Sequence, residues 1–222
     1  MPKIEASIGY EFKSEALLRQ ALTHRSFGDN NNERLEFLGD AILSFVIAAA
    51  LYEKFPDSSE GDLSRLRARL VKQETLADIA REIQLGDALI MGSGELKSGG
   101  FNRDSILSDA LEAVFGAVFL DSGIDAATLC ISGLFATRLM AMNANDLRKD
   151  PKTQLQEYLQ GVSQALPEYQ LIATRGKSPR EEFEVACHVS LFDQPVTAKG
   201  TSRRKAEQQA AAAALKILKV DA

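Results

Sequence analysis

Hydrophobic residues in the first two thirds of the chain recur at three- and four-residue spacing, the pattern of helices with one buried stripe. Such runs cover residues 15–22, 33–54, 60–70, 75–83, 105–120 and 126–140, with Gly86, Gly92, Gly94, Gly99, Gly100 and Gly123 between them as turn residues. No period-two run of strand length precedes residue 165, so this part reads as all α. Residues 44–52 are apolar almost all round, which predicts a helix buried on every side. The glycine-rich stretch 91–100 lacks the Gly-Lys-Ser/Thr ending of a nucleotide-binding loop and reads as a flexible connection carrying Lys97.

The rhythm then changes. Residues 143–149 are polar and aperiodic, and Asp150-Pro151 places an N-cap and a first-turn proline ahead of a helix over 151–160. A strand over 168–175 follows, then Phe183, Val185, Cys187, Val189 and Leu191 in alternation, then a shorter strand over 194–200. An alanine-rich helix runs from 202 to about 219. The order α-β-β-β-α predicts a three-stranded antiparallel sheet covered on one face by two helices. The expected organisation is an all-α domain over 1–142, a linker over 143–150 and a small α+β domain over 151–222.

Composition narrows the setting. At 222 residues and 45% hydrophobic content the chain can hold one large domain or two modest ones. The first twelve residues mix Lys3, Glu5 and Glu11 with scattered apolar positions, unlike a secretion leader. The longest apolar stretch, 41–52, is shorter than the roughly 20 residues of a membrane span, so no membrane partner is expected. Cys130 and Cys187 are far apart and lack metal-ligand spacing, which fits a reducing cytoplasmic setting. The net charge of −5 is unevenly spread: residues 150–222 carry 10 Lys+Arg and 9 Asp+Glu, against 16 and 22 in residues 1–149. The acidic part is the one that needs cations.

That need has a location. On a helix, Glu33, Glu36 and Asp40 fall at i, i+3 and i+7 on one face, while Leu35, Leu38, Ile42 and Phe45 face a core. Like charges so placed repel, and a divalent cation turns the repulsion into ligation; hard oxygen ligands suit Mg²⁺ or Mn²⁺. Asp109 and Glu112 repeat the arrangement at i, i+3 in another apolar helix. Packing the two helices together would gather Glu36, Asp40, Asp109 and Glu112. A solvated acidic face is the plain alternative, and the bulky residues flanking each carboxylate fit it poorly. Glu60 reads either as a supporting group or as an acidic residue favouring its helix dipole. His24, with no second His or Cys nearby, reads as a hydrogen-bonded structural residue.

In the second domain, Ser202, Arg203, Arg204 and Lys205 place cations at a helix start, where the dipole disfavours them and an external phosphate would relieve the conflict. Thr153, Gln156, Glu157 and Gln160 share one face of the preceding helix and offer short polar groups suited to 2′-hydroxyls and minor-groove edges of A-form RNA. The residues leave three readings open: a metal-dependent RNA nuclease, a duplex-RNA-binding protein without catalysis, and a DNA nuclease using the same chemistry.

The run Asn32-Glu33-Arg34-Leu35-Glu36-Phe37-Leu38-Gly39-Asp40, together with Asp109-x-x-Glu112 and the C-terminal domain, resembles the ribonuclease III family over nearly the whole chain. The resemblance implies a Mg²⁺ centre of Glu36, Asp40, Asp109 and Glu112, with Asp40 and Glu112 most directly catalytic and Glu33 and Glu60 supporting. It implies a homodimer that cuts both strands of double-stranded RNA, leaving 5′-phosphate, 3′-hydroxyl and a short 3′ overhang. It further implies processing of ribosomal and messenger RNA precursors. One departure stands out: many related RNA-binding domains carry a histidine in the loop that here reads Gly176-Lys177-Ser178-Pro179-Arg180-Glu181.

Overall fold

A computed structural model describes residues 2–143, 150–176 and 181–219. The chain divides into two compact units, Met1–Leu147 and Arg148–Ala222. The linker expected over 143–150 lies almost wholly outside the described residues, as do positions 177–180 of the loop that lacks the histidine.

The first unit is helical: α1 (Pro2–Ile8), α2 (Glu15–Ala21), α3 (Glu33–Lys54), α4 (Glu60–Leu70), α5 (Gln73–Glu82), α6 (Ser93–Lys97) and α7 (Asp104–Ala141). The sequence pattern misses α1 and α6, both too short for a periodicity to stand out. The glycine-rich stretch is therefore not a simple loop: Ser98 Oγ donates to the Glu95 carbonyl at 2.9 Å and closes a helical turn. α7 joins the two helices expected over 105–120 and 126–140. Gly123, at φ 81° and ψ −174°, kinks it in a backbone region that other residues rarely adopt.

α3 and α7 share the most extensive interface in the protein. α3 contributes Leu35, Gly39, Ile42, Leu43, Val46, Ile47 and Leu51, and α7 answers with Leu107, Leu111, Val114, Phe115 and Val118. Both helices are also long and apolar enough to cross a membrane by length and composition. An uninterrupted-run criterion overlooks this because isolated acids break the apolar stretches. Here they are the packed core pair of a helical unit. The expectation of burial on every side fails for residues 44–52, where Phe45, also expected to face the core, is 61% exposed and Tyr52 72%; Phe37 on the same helix is 82% exposed.

The second unit runs α8 (Pro151–Gly161), β1 (Glu168–Arg175), β2 (Glu182–His188), β3 (Val196–Gly200) and α9 (Arg203–Ile217). The strands form one antiparallel sheet in the order β1-β2-β3. Leu171 lies opposite Val185 and Val185 opposite Ala198, with a bulge between Leu171 and Ala173. Leu155 and Leu159 of α8 pack with Ala210, Ala211, Ala214 and Leu215 of α9 and with Cys187 and Val189. The alanines keep α9 close to the sheet, because a larger side chain on that face would hold the layers apart.

Candidate functional site

The site begins where α3 crosses α7. A Cβ on Gly39 would collide with the carbonyl oxygen of Glu112, and one on Gly116 would collide with the carbonyl of Leu35. Backbone therefore touches backbone at this crossing, a distance only glycine permits. The contact sets Glu36, one turn before Gly39, opposite Asp109 and Glu112. One oxygen from each of these three carboxylates lies within 4.8 Å of the others.

The environment is hostile to three negative charges. Burial is the main force raising the Glu112 carboxyl to about 8, and the charges of Asp40, Asp109 and Glu36 add to it. Glu36 is raised first by burial and then by Asp109, Glu33 and Asp40, with Arg25 opposing. Burial also raises Asp109, against a 3.2 Å hydrogen bond donated by Ser108 and the charges of His24 and Arg25. Hard oxygen donors gathered at this spacing fit a divalent cation, which would replace the repulsion by ligation.

The remaining acids take different places. Asp40 is exposed and outside the group of three, although its charge reaches Glu112. Glu33 is exposed and pairs with Arg25 at 3.4 Å. Glu60, in the first turn of α4, accepts a 2.7 Å hydrogen bond from Ser64 and lines a separate pocket with Ala48, Tyr52, Leu63 and Arg67. His24 is hydrogen-bonded, with Nδ1 2.8 Å from Ser26 Oγ. It also lines a cavity of about 440 Å³ beside Glu36 and Asp109. Arg25, Arg103 and Asn32 line the same cavity, and no periodicity marks any of them in the sequence.

Residues 14–139 match the family profile described as ribonuclease-III-like, and residues 151–218 match the double-stranded RNA binding motif. The ribonuclease 3 of Colwellia psychrerythraea is 54% identical over 218 residues, spanning 98% of this chain and 82% of that protein. That of Aliivibrio fischeri is 54% identical over 215 residues, spanning 97% and 96%. The chain belongs to the ribonuclease III family.

Solved ribonuclease III structures agree with the fold. The nuclease domain of the Campylobacter jejuni enzyme is 46% identical with a TM-score of 0.62, over 64% of this chain and 98% of that one. A second structure of that domain, concerned with flexibility in its dimer-forming region, is 48% identical with a TM-score of 0.58, over 64% and 97%. Dicer from Pichia stipitis is 28% identical with a TM-score of 0.50, over 92% and 94%. This ribonuclease III chain is thus a double-stranded RNA endonuclease of a metal-dependent family, built from a helical nuclease domain and an RNA-binding domain.

Its RNA-binding domain prepares the predicted surface residues in different ways. Ser202 Oγ caps α9 by accepting from the Lys205 amide at 3.2 Å. Arg203 Nε donates to Glu207 at 3.0 Å, and Lys152 Nζ reaches the other Glu207 oxygen at 2.7 Å. These two cations hold the Glu207 carboxyl below the usual range, with the Lys152 hydrogen bond as the largest cause. Arg204 and Lys205 are exposed, and neither side chain has a hydrogen bond or ion pair among the described residues. On α8, Thr153 donates to Asp150 at 2.6 Å, while Gln156, Glu157 and Gln160 stand exposed on the same face.

Proposed function

We propose that this chain is a Mg²⁺-dependent endoribonuclease, with Mn²⁺ able to substitute, that leaves 5′-phosphate and 3′-hydroxyl ends with short 3′ overhangs. The observation that carries this reading is the convergence of Glu36, Asp109 and Glu112 within 4.8 Å. When bound there, the cation supplies Lewis-acid polarisation of a phosphate oxygen and makes a water more acidic. Glu36, Asp109 and Glu112 would hold it, and Asp40, whose charge reaches Glu112 from outside their group, would join them as a further ligand and act on the attacking water. The water oxygen would bond to phosphorus and lose its proton to solvent, the bond to the 3′-oxygen would break, and that oxygen would take up a proton from solvent to leave as the 3′-hydroxyl. Asp40 and Glu112 are the residues this reading makes most directly catalytic. Glu33 supports it by holding Arg25.

The RNA duplex is held by the exposed cations Arg204 and Lys205 with Arg203, at the capped start of α9, and by the polar face of α8. Such contacts read the shape of A-form RNA rather than its sequence. The working form is a homodimer. Phe37, Phe45 and Tyr52 make an exposed apolar stripe along α3, and Phe37 adjoins an apolar pocket that includes Leu35, Leu38 and Leu120. Glu60 sits beside Tyr52 in the pocket it lines, so its support comes from the interface side. A monomeric mass in sedimentation at micromolar concentration would refute the dimer.

The two buried free thiols suit the cytoplasm. Ribosomal and some messenger RNA precursors are the substrates this reading names, and mapping transcript ends with and without the protein checks it. The mechanism is tested by Glu112→Gln. This variant should keep duplex binding in Ca²⁺ and lose at least about a hundredfold in Mg²⁺-dependent cleavage. Ordinary cleavage by the variant removes Glu112 from the mechanism.

A further inference from the structure

The cavity beside the carboxylates contains a group that the metal centre does not use. Asn32 is only 3% exposed, yet its side-chain amide makes no hydrogen bond among the described residues. Its backbone is fully engaged: the N–H donates to Thr23 at 2.9 Å and the carbonyl accepts from Glu36 at 2.8 Å. Neither amide atom of Asn32 is sealed away from solvent without a partner, so the amide opens on the cavity it lines. An amide held by its backbone, without a protein partner and open to a cavity, is free to bond what enters that cavity.

Three further features converge on the same space. α7 starts there without a side-chain cap, and its first internal bond is Leu107 N–H to Arg103 at 3.0 Å. The amides of Ser105 and Ile106, which line the cavity, therefore lack helical partners. Arg103 and Arg25 stand at the wall, held by Glu95 at 3.0 Å and Glu33 at 3.4 Å. The wall is firmly built: His24 donates its amide to Ile90 at 2.9 Å, and the Gly92 amide donates to Ser26 Oγ at 2.9 Å. Guanidinium groups and a helix N-terminus suit a phosphate, whereas an amide, at once donor and acceptor, suits a hydroxyl.

We infer that this cavity is a strand-positioning subsite that takes the sugar-phosphate unit next to the scissile phosphate, with Asn32 on the ribose 2′-hydroxyl and Arg25 and Arg103 on the phosphate. The inference rests on the nuclease reading of the carboxylate centre. The volume of about 440 Å³ lies in the range of small-ligand sites. Glu33, Glu36, Glu95 and Asp109 also face this space and outnumber its cations, so RNA enters once the metal-holding carboxylates are neutralised. The two arginines then exchange their carboxylate partners for phosphate.

The test compares full-length protein with Asn32→Ala. The variant should unfold, metal-free, at the same temperature as the parent or higher, because no hydrogen bond is lost. Its KM for duplex RNA in Mg²⁺ should rise about five- to tenfold, with the effect on KM rather than kcat. Single 2′-deoxy substitutions scanned across the cleavage site should weaken the parent by the same factor at one flanking nucleotide and leave the variant unaffected there. Arg103→Ala should lower the slope of log affinity against log salt, measured in Ca²⁺, by about one, with Arg103→Lys restoring most of it. Unchanged KM in Asn32→Ala, or a full deoxy effect in that variant, overturns the subsite. A lower unfolding temperature with a parallel fall in kcat also overturns it, since that marks a structural asparagine. If the parent does not cut duplex RNA at all, the nuclease reading fails first and takes this inference with it.

Discussion

The two domains handle charge in opposite ways. In the nuclease domain, Glu36, Asp109 and Glu112 are held together and partly buried, with no ion pair among the described residues and only the more distant charges of Arg25 and His24 to ease Glu36 and Asp109, and the Glu112 carboxyl is pushed up to about 8. In the RNA-binding domain, Glu207 is shared between Lys152 and Arg203, while Arg204 and Lys205 stand in solvent. The first arrangement holds unfavourable electrostatics that a proton or a bound cation relieves, and it requires a rigid frame. The second costs little and exchanges readily with water and phosphate. Chemistry and reversible grip are thus separated by how much burial each set of charges must tolerate.

The contrast is most vulnerable at the helix crossing. Gly39→Ala inserts a methyl group where α3 meets the Glu112 backbone, so the helices must separate. Unfolding in denaturant should show a loss of about 1–3 kcal/mol, as for other overpacked cores. Cleavage should fall by at least about a hundredfold, while binding through the second domain persists. A variant with full cleavage would show that the backbone contact does not set the carboxylates.

A smaller effect concerns pH. Glu112 has a raised pKa in the fold, so the folded state binds its proton more tightly than the unfolded chain does. Its favourable contribution is complete below the ordinary carboxylate range and is lost as pH rises through about 8. Metal-free Glu112→Gln should therefore match the parent near pH 4 and exceed it by roughly 2 kcal/mol at pH 9, after discounting for solvent. Mg²⁺ should reverse that order at high pH by stabilising only the parent. Equal stability at both pH values would mean the carboxylates are not strained.

The mildest effect belongs to the other side of the contrast. Arg204→Ala and Lys205→Ala should each weaken duplex binding severalfold and reduce the salt slope by about one, with melting temperature unchanged. Arg203→Ala should in addition free Glu207 from one of its two cations. A loss of stability in the Arg204 or Lys205 variants would show that these cations are structural rather than poised for RNA.

Much of this molecule is determined locally. Helical and strand periods, the Asp150 cap and the acids spaced along α3 and α7 arise from interactions within a few residues, and sequence alone reports them. The carboxylate pairs are legible because acids inside apolar helices have few other uses. The consequences of packing are not legible in that way. Periodicity does not tell which acids converge: Glu36, Asp109 and Glu112 meet, Asp40 stays outside their group, and Glu60 lies in another pocket. The apolar outer face of α3 reads the same whether its cover comes from this chain or another, so Phe45 and Tyr52 read as buried and are not. In the sequence, Asn32 is only the first residue of an acidic motif. Only the fold, by engaging its backbone on both sides and leaving its amide facing a cavity, makes it a candidate for binding.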